Sequence, residues 1–233
     1  ASRAYTQTIA VASQAIERLS PPAFAYRLRG SAYYWMYDHA SAKADLEKAL
    51  ELDPQDAEAL GMLALLAYET SQVEDLKATG ERAAESSPES ASGLLAQAAA
   101  ALDICQYAEA RSLLDRAIEL APERPELYIL HSWTYTSSVD EATAFKEVET
   151  AAGLAPHNRM VRYAQAQIAL YLYELDEAEA IGQALVAEFP QGADGYAILV
   201  GVYNKRYELR KALEVAEQGL AAAGDHATLD VRL

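Results

Sequence analysis

Large and small side chains alternate along the chain at a fixed interval that predicts pairs of helices. Large residues seven apart, such as Tyr26 with Tyr33 and Tyr128 with Tyr135, lie on one helix face. Small residues recur where two helices have to approach closely. At the twentieth position of each 34-residue unit the chain has Ala42, Leu76, Ala110, Ala144, Ala178 and Ala212. Each unit is therefore predicted to hold two antiparallel helices joined by a short turn, the first of about 14 residues.

Proline placement predicts the ends of these units, because a proline stops a helix from continuing. Five of the eight prolines follow one another at intervals of 34 residues, namely Pro54, Pro88, Pro122, Pro156 and Pro190. A period of that length predicts a stacked repeat array. The predicted repeats are residues 23–56, 57–90, 91–124, 125–158, 159–192 and 193–226. Residues 1–22 are predicted to be the second helix of a truncated repeat and residues 227–233 the start of a further helix, so we expect a fragment of a larger protein.

The period and its columns closely resemble the tetratricopeptide repeat over Ala23 to about Asp225. The stretch from Ala42 to Pro54 is similar to a near-consensus second helix. The resemblance implies an all-α, right-handed superhelical α-solenoid of antiparallel helix pairs. Two glycines, Gly80 and Gly182, stand at the twenty-fourth position, where the family has a large side chain. We expect looser packing in those repeats, because an interior glycine leaves space and costs about 1 kcal/mol of helix stability.

Composition agrees with the helical prediction and excludes several functions. Of the 233 residues, 49 are Ala, the best helix former. The formal charge of −16 is spread evenly and argues against nucleic-acid binding, which needs a concentrated basic surface. No stretch is long and apolar enough to span a bilayer. Nothing in the composition distinguishes a cytoplasmic from a periplasmic location.

The residues that carry chemistry are scattered along the chain. The single cysteine, Cys105, excludes an internal disulfide and is predicted to lie in a turn as an incidental thiol. The four histidines show no metal-binding spacing. Phosphate-binding glycine loops and nucleophile-elbow motifs are absent from the sequence. The sequence therefore predicts no catalytic residue, metal or cofactor, and we expect a protein that is not an enzyme.

In the first helix of each repeat, positions two, five, nine, twelve and thirteen form one stripe, called the groove stripe here. The resemblance implies that this stripe lines a concave groove. Its candidate binding residues are Phe24, Arg27, Tyr34, Trp35, Tyr68, Glu69, Asp103, Ile129, Trp133, Tyr163, Gln167, Tyr171, Asn204 and Lys205. Seven of these are aromatic, and large rings are common binding anchors. A second interpretation stays open for Tyr34, Trp35, Tyr68 and Tyr171, because positions twelve and thirteen can pack against the next repeat.

The charges of the groove stripe favour one class of partner. Two basic residues stand against five acidic ones, which are Glu58, Glu69, Asp103, Glu126 and Asp194. An apolar peptide with some basic character would complement such a surface. Certain family members hold the C-terminal carboxylate of heat-shock chaperones with a basic clamp. Here its positions carry Arg27, Ser31, Met62, Ser92 and Ala96, so that function is disfavoured.

These features predict a non-catalytic protein-protein interaction scaffold that binds a peptide or a partner protein segment in the groove. Two alternatives stay open. Tetratricopeptide arrays also occur in bacterial polysaccharide export and secretion systems, and rings beside carboxylates suit sugar stacking, so the partner could be a glycan. The chain could also self-assemble through its ends, since neither end has an obvious polar capping unit.

Overall fold

The computed structural model describes residues 2–18, 22–135 and 140–223, and the predicted helix start at 227–233 lies outside them. The described residues form helices and no strands, so the fold is an all-α solenoid of helix pairs. The helices are α1 (Ser2–Arg18), α2 (Ala23–Trp35), α3 (His39–Leu52), α4 (Ala57–Glu69), α5 (Val73–Ser86), α6 (Ala91–Asp103), α7 (Tyr107–Leu120), α8 (Pro125–Trp133), α9 (Glu141–Leu154), α10 (Arg159–Tyr171), α11 (Leu175–Glu188), α12 (Ala193–Lys205) and α13 (Leu209–Ala223).

The first helix of each pair begins at a defined capping position. From α2 to α12, these helices start at Ala23, Ala57, Ala91, Pro125, Arg159 and Ala193, which are 34 residues apart. The side chains of Asp56, Ser90 and Asn158 accept hydrogen bonds from backbone N–H groups of the first turn, at 3.1, 3.0 and 2.9 Å for the nearest of them. Such caps satisfy donors that a helix start leaves without intrahelical partners.

Among the described residues, the turn inside five of the repeats ends the first helix with a residue in the left-handed conformation. Tyr37, Ser71, Cys105, Tyr173 and Tyr207 have φ between 53° and 63° and occupy the same position of their repeats. The N–H of the residue after each one donates to a carbonyl five residues back, as from Gln106 to Ala101 at 2.8 Å. This is the hydrogen bond of a Schellman cap, which glycine usually makes. Cys105 lies in this turn, as predicted, with its thiol exposed.

The described residues fall into two compact bodies, an N-terminal body within Ala1–Glu147 and a C-terminal body within Val148–Leu233. In the N-terminal body, fully buried leucines such as Leu46, Leu65 and Leu114 pack between the helices. Buried alanines allow these helices to come close together. In the C-terminal body, a cluster of five buried residues joins α10, α11 and α12, namely Ala166, Ala169, Ala178, Ile198 and Val202.

The two glycines at the twenty-fourth position lie at tight helix contacts. A Cβ added to Gly80 would be 2.8 Å from the Cβ of Ala100 on α6. One added to Gly182 would be 3.1 Å from side-chain carbons of Ile198 and Leu199 on α12. The expectation of looser packing is therefore wrong, because the following helix occupies the space that a side chain would have filled.

Candidate functional site

The groove stripe of the N-terminal body is crossed by an aromatic pair. The ring of Tyr68, at the end of α4, stacks on the ring of Trp133, at the end of α8, with centroids 5.6 Å apart and planes 16° from parallel. Both side chains are half-buried. The stack joins the C-terminal ends of the first helices of the second and fourth repeats.

A polar network joins the opposite ends of the same two helices. Arg124, just before α8, donates to Glu126 Oε1 at 2.7 Å and to Glu58 Oε1 on α4 at 3.1 Å. It also bonds Ser92 on α6, whose hydroxyl donates to Glu58 at 2.6 Å. Burial lowers the pKa of the Arg124 guanidinium, but the charges of Glu126 and Glu58 outweigh burial, so the net shift is upward. The network is thus held by a permanently charged guanidinium.

The groove stripe of α6 is buried between the aromatic pair and the polar network. Its members Ser92, Leu95, Ala99 and Leu102 are at most 5 % exposed. Ser92 and Ala99 are small, and side chains from α4 and α8 meet across the helix over this stripe. Side chains of the protein itself therefore cover this part of the stripe.

Two predicted binding residues of the N-terminal body are fully buried. Tyr34 has no exposed surface, and its hydroxyl donates to Glu69 Oε1 at 2.7 Å. Ile129 also has no exposed surface. Packing against neighbouring helices removes both side chains from any groove, which corrects their assignment as accessible contacts.

The remaining stripe residues of α2 differ in what they contact. Trp35 is half-buried, with its ring 6.5 Å from that of Tyr5 on α1 and edge-on to Tyr34 at 4.8 Å. Arg27 forms an ion pair with Asp56 at 2.9 Å. Phe24 is 50 % exposed. Of this helix, Phe24 thus presents the most accessible apolar ring of the stripe.

Most of the carboxylates that made the groove stripe acidic have partners within the protein. Arg124 holds Glu58 and Glu126, and Arg159 lies 3.3 Å from Asp194. Glu69 accepts from Tyr34 and lies 3.8 Å from the imidazole of His39. Asp103, at the end of α6, makes no ion pair among the described residues. Four of these five carboxylates therefore have a partner within their own body, although Glu58 and Glu126 share the single guanidinium of Arg124.

The groove stripe of the C-terminal body is more open. On α10, Tyr163 packs against the buried cluster, whereas Gln167 is exposed and Tyr171 is 54 % exposed. On α12, Asn204 and Lys205 are half-buried. Lys205 Nζ lies 4.1 Å from the centroid of the Tyr173 ring, a cation–π contact. This surface combines the exposed ring of Tyr171, two side-chain amides and the Lys205 cation, which already contacts an aromatic ring.

Two features escaped sequence reasoning. His131 is buried between Asp115 and Glu147, at 3.3 and 3.4 Å. The left-handed turn position presents exposed rings, with Tyr173 at 68 % and Tyr207 at 88 %. Aligning the fifteenth position of the repeats would have found the second feature, since three of its occupants are tyrosines. No local pattern indicates the first, because its two partners lie on two other helices, α7 and α9.

Among the residues that the structure describes, no three His, Cys, Asp or Glu side chains are grouped so as to hold a metal ion. None of the described helices has the length and hydrophobicity that a membrane span requires.

Comparisons with known proteins show which proteins have a similar sequence or fold. The family model described as tetratricopeptide repeat matches residues 23–56. No curated protein matches the sequence. A chain of the crystal structure titled APC/C hetero-tetramer Cut9-Hcn1 superposes with a TM-score of 0.75 at 17 % identity, covering 89 % of this chain and 39 % of its own length. The protein described here therefore spans well under half of that structure's chain.

Two further solved structures are similar at lower scores. Pseudomonas aeruginosa pilF has a TM-score of 0.49 at 23 % identity, with 85 % of this chain and 89 % of that one covered. YrrB, titled a TPR protein with an unusual peptide-binding site, has a TM-score of 0.46 at 20 % identity, with 78 % and 93 % covered.

Proposed function

We propose that this chain, whose residues 23–56 match the tetratricopeptide-repeat model, is a non-catalytic scaffold that binds a partner protein segment on the groove stripe of α10 and α12. The observation that carries the proposal is the exposure of the Tyr171 ring beside the exposed amide of Gln167 on α10. The corresponding stripe of α4, α6 and α8 is filled by side chains of the protein itself.

The spacing of the residues supports a single binding face. Tyr163, Gln167 and Tyr171 are four residues apart and lie one above another on α10. Facing them on α12 is Gly201, where an added Cβ would lie 3.0 Å from a methyl carbon of Leu170. Because Gly201 has no side chain, Leu170 of α10 packs closely against the backbone of α12 at this point. An extended or helical peptide laid across both helices would contact the α10 row together with Asn204 and Lys205.

The chemistry of this face suits an apolar segment. A side-chain amide such as that of Gln167 or Asn204 both donates and accepts hydrogen bonds, so it can pair with a peptide backbone. The Tyr171 ring offers apolar area with a polar hydroxyl, as interface anchors commonly do. We propose that apolar contacts dominate over a basic preference, because ion pairs within the protein hold most of the carboxylates of the groove stripe.

Peptide selection followed by a matched pair of variants tests the proposal. Twelve-residue peptides selected from a phage-displayed library would be labelled and titrated by fluorescence anisotropy. Tyr171→Ala should weaken binding about tenfold or more, as loss of an aromatic anchor does. The control Tyr207→Ala removes an exposed ring outside the groove stripe and should leave affinity unchanged.

Unchanged affinity of Tyr171→Ala would contradict the proposed surface. Chito-oligosaccharides titrated in the same assay, by competition or by intrinsic fluorescence, test the glycan alternative. Saturable binding of the oligosaccharides together with failure to select any peptide would replace the peptide partner by a glycan.

A further inference from the structure

The last described helix carries an apolar stripe that no described helix covers. Leu209, Leu213 and Leu220 of α13 are 65 %, 61 % and 51 % exposed. At about 100° per residue they fall within one narrow arc of the helix, together with Ala216. These four residues are called the α13 stripe below.

The same face of the preceding second helix is covered by a helix. The residues of α11 that stand 34 positions before the α13 stripe are Leu175, Glu179, Gly182 and Val186. Tyr203 of α12 donates to Glu179 at 2.8 Å, and a Cβ on Gly182 would touch Ile198 and Leu199 of α12. A Cβ on Gly195 of α12 would likewise meet Val186 at 2.8 Å. On α11, this face of a second helix packs against another helix. The same face on α13 is more apolar than the face on α11.

We propose that the α13 stripe binds the α13 stripe of a second copy of this chain in an antiparallel helix pair. The four residues are separated by four, three and four positions, and this spacing is the same in both directions. A reversed copy therefore presents matching side chains. Leu209 of one copy meets Leu220 of the second, and Leu213 meets Ala216, so the contact is two-fold symmetric.

Charge on the flank of the stripe supports this antiparallel arrangement. Arg210 and Glu217 are exposed and lie on the same side of α13, near opposite ends of the stripe. In the two-fold antiparallel pair, Arg210 of each copy comes close to Glu217 of the other. A parallel two-fold pair would instead put this flank on opposite sides of the contact in the two copies, so Arg210 of one copy would not meet Glu217 of the other.

One helix pair buries less than a standard protein interface, so association should be weak, with a dissociation constant of about 10–100 µM. This proposal does not rest on the proposed peptide site, since Tyr171 and Gln167 lie on α10. Peptide binding can be measured at concentrations where the chain is monomeric, so failure of one proposal is distinguishable from failure of the other.

Sedimentation equilibrium over about 5 to 500 µM, a range that brackets this weak association, tests the proposal. We expect the mass to rise from 25.3 kDa toward twice that value. Leu213→Lys should abolish the rise, and because Leu213 is exposed, this variant should keep its helicity. The control Leu120→Lys changes an equally exposed leucine on α7 and should associate as the parent chain does.

Charge reversal tests the register of the pair. Arg210→Glu and Glu217→Arg should each raise the dissociation constant about fivefold, and the double variant should restore it. A chain that stays monomeric throughout would overturn the proposal, including the case in which another segment of the same chain covers the stripe. Association that survives Leu213→Lys, or a double variant no better than the single ones, would overturn it as well.

Discussion

Tyr68 and Trp133 stack ring on ring at 5.6 Å, although they belong to the second and fourth repeats. In a repeat array, contacts mostly join neighbouring units. This contact skips one unit and passes over the groove stripe of α6, whose Leu95 and Ala99 have no exposed surface. The aromatic pair therefore contributes to packing in this body and covers the α6 part of the groove stripe.

Removing either ring of this pair should destabilise the protein. Tyr68→Ala and Trp133→Ala should each lower the free energy of unfolding by about 2–3 kcal/mol, and a double-mutant cycle should show a coupling of about 0.5–1.5 kcal/mol. Urea denaturation measures both. The exposed ring of Tyr207 is the control, since Tyr207→Ala should change stability by no more than about 0.5 kcal/mol. Additive losses with no coupling would show that the rings do not interact.

The left-handed turn residues offer a route to greater stability. Ser71 and Cys105 have φ of 53° and 59°, a conformation that costs a residue with a side chain about 1–2 kcal/mol. Ser71→Gly and Cys105→Gly should each raise the free energy of unfolding by about 0.5–1 kcal/mol, since glycine adopts this conformation without strain. Chemical denaturation is the measurement. Gln72→Gly, at a residue with negative φ, should bring no gain.

Glycines at helix contacts and on the surface should respond oppositely to alanine. Gly80→Ala brings a methyl group to 2.8 Å from Ala100 and should lower stability by about 1–3 kcal/mol. Gly153 is exposed near the end of α9 and has nothing within 4 Å of an added Cβ. Gly153→Ala should raise stability by about 0.5–1 kcal/mol. Thermal denaturation of the two variants would reveal the contrast, and a stabilised Gly80→Ala would mean that α5 and α6 are less tightly packed than described.

How far the sequence predicts this protein depends on the range of the contacts involved. Proline spacing and the alanine columns predict the helix pairs, because they reflect packing inside a repeat. Tyr34 and Ile129 stand at regular positions of the groove stripe, yet both are buried. Their exposure depends on the neighbouring helices, which the pattern within one repeat does not describe. The pairing of Tyr68 with Trp133 joins repeats that are not adjacent, and no periodic pattern encodes it. Gly80 and Gly182 indicated that a large side chain was missing, but the sequence could not show that an adjoining helix occupies the space.

Acid should weaken the contact between α11 and α12. Hydrogen bonds from Arg206 and then from Tyr203 lower the pKa of the Glu179 carboxyl. Because the unfolded chain holds the proton more tightly, this contribution is present above the ordinary carboxyl pKa of about 4.3 and is lost as the pH falls through the lowered value.

Glu179→Gln should therefore lower stability at pH 7 and reduce the loss of stability on acidification. Urea denaturation at a series of pH values measures both effects. Glu177→Gln, on the exposed side of α11, is the matched control and should follow the parent chain. Parallel pH profiles for Glu179→Gln and the parent chain would argue against this linkage.

The most direct test of the binding proposal is to map a selected peptide onto the protein by NMR, at a concentration where the chain is monomeric. We predict amide and side-chain shift changes centred on Gln167, Tyr171 and Asn204, with the indole signal of Trp133 unchanged. Shift changes at the Trp133 indole and along α4 and α6, with Gln167 and Tyr171 unaffected, would contradict the account and assign the binding site to the groove stripe of the N-terminal body.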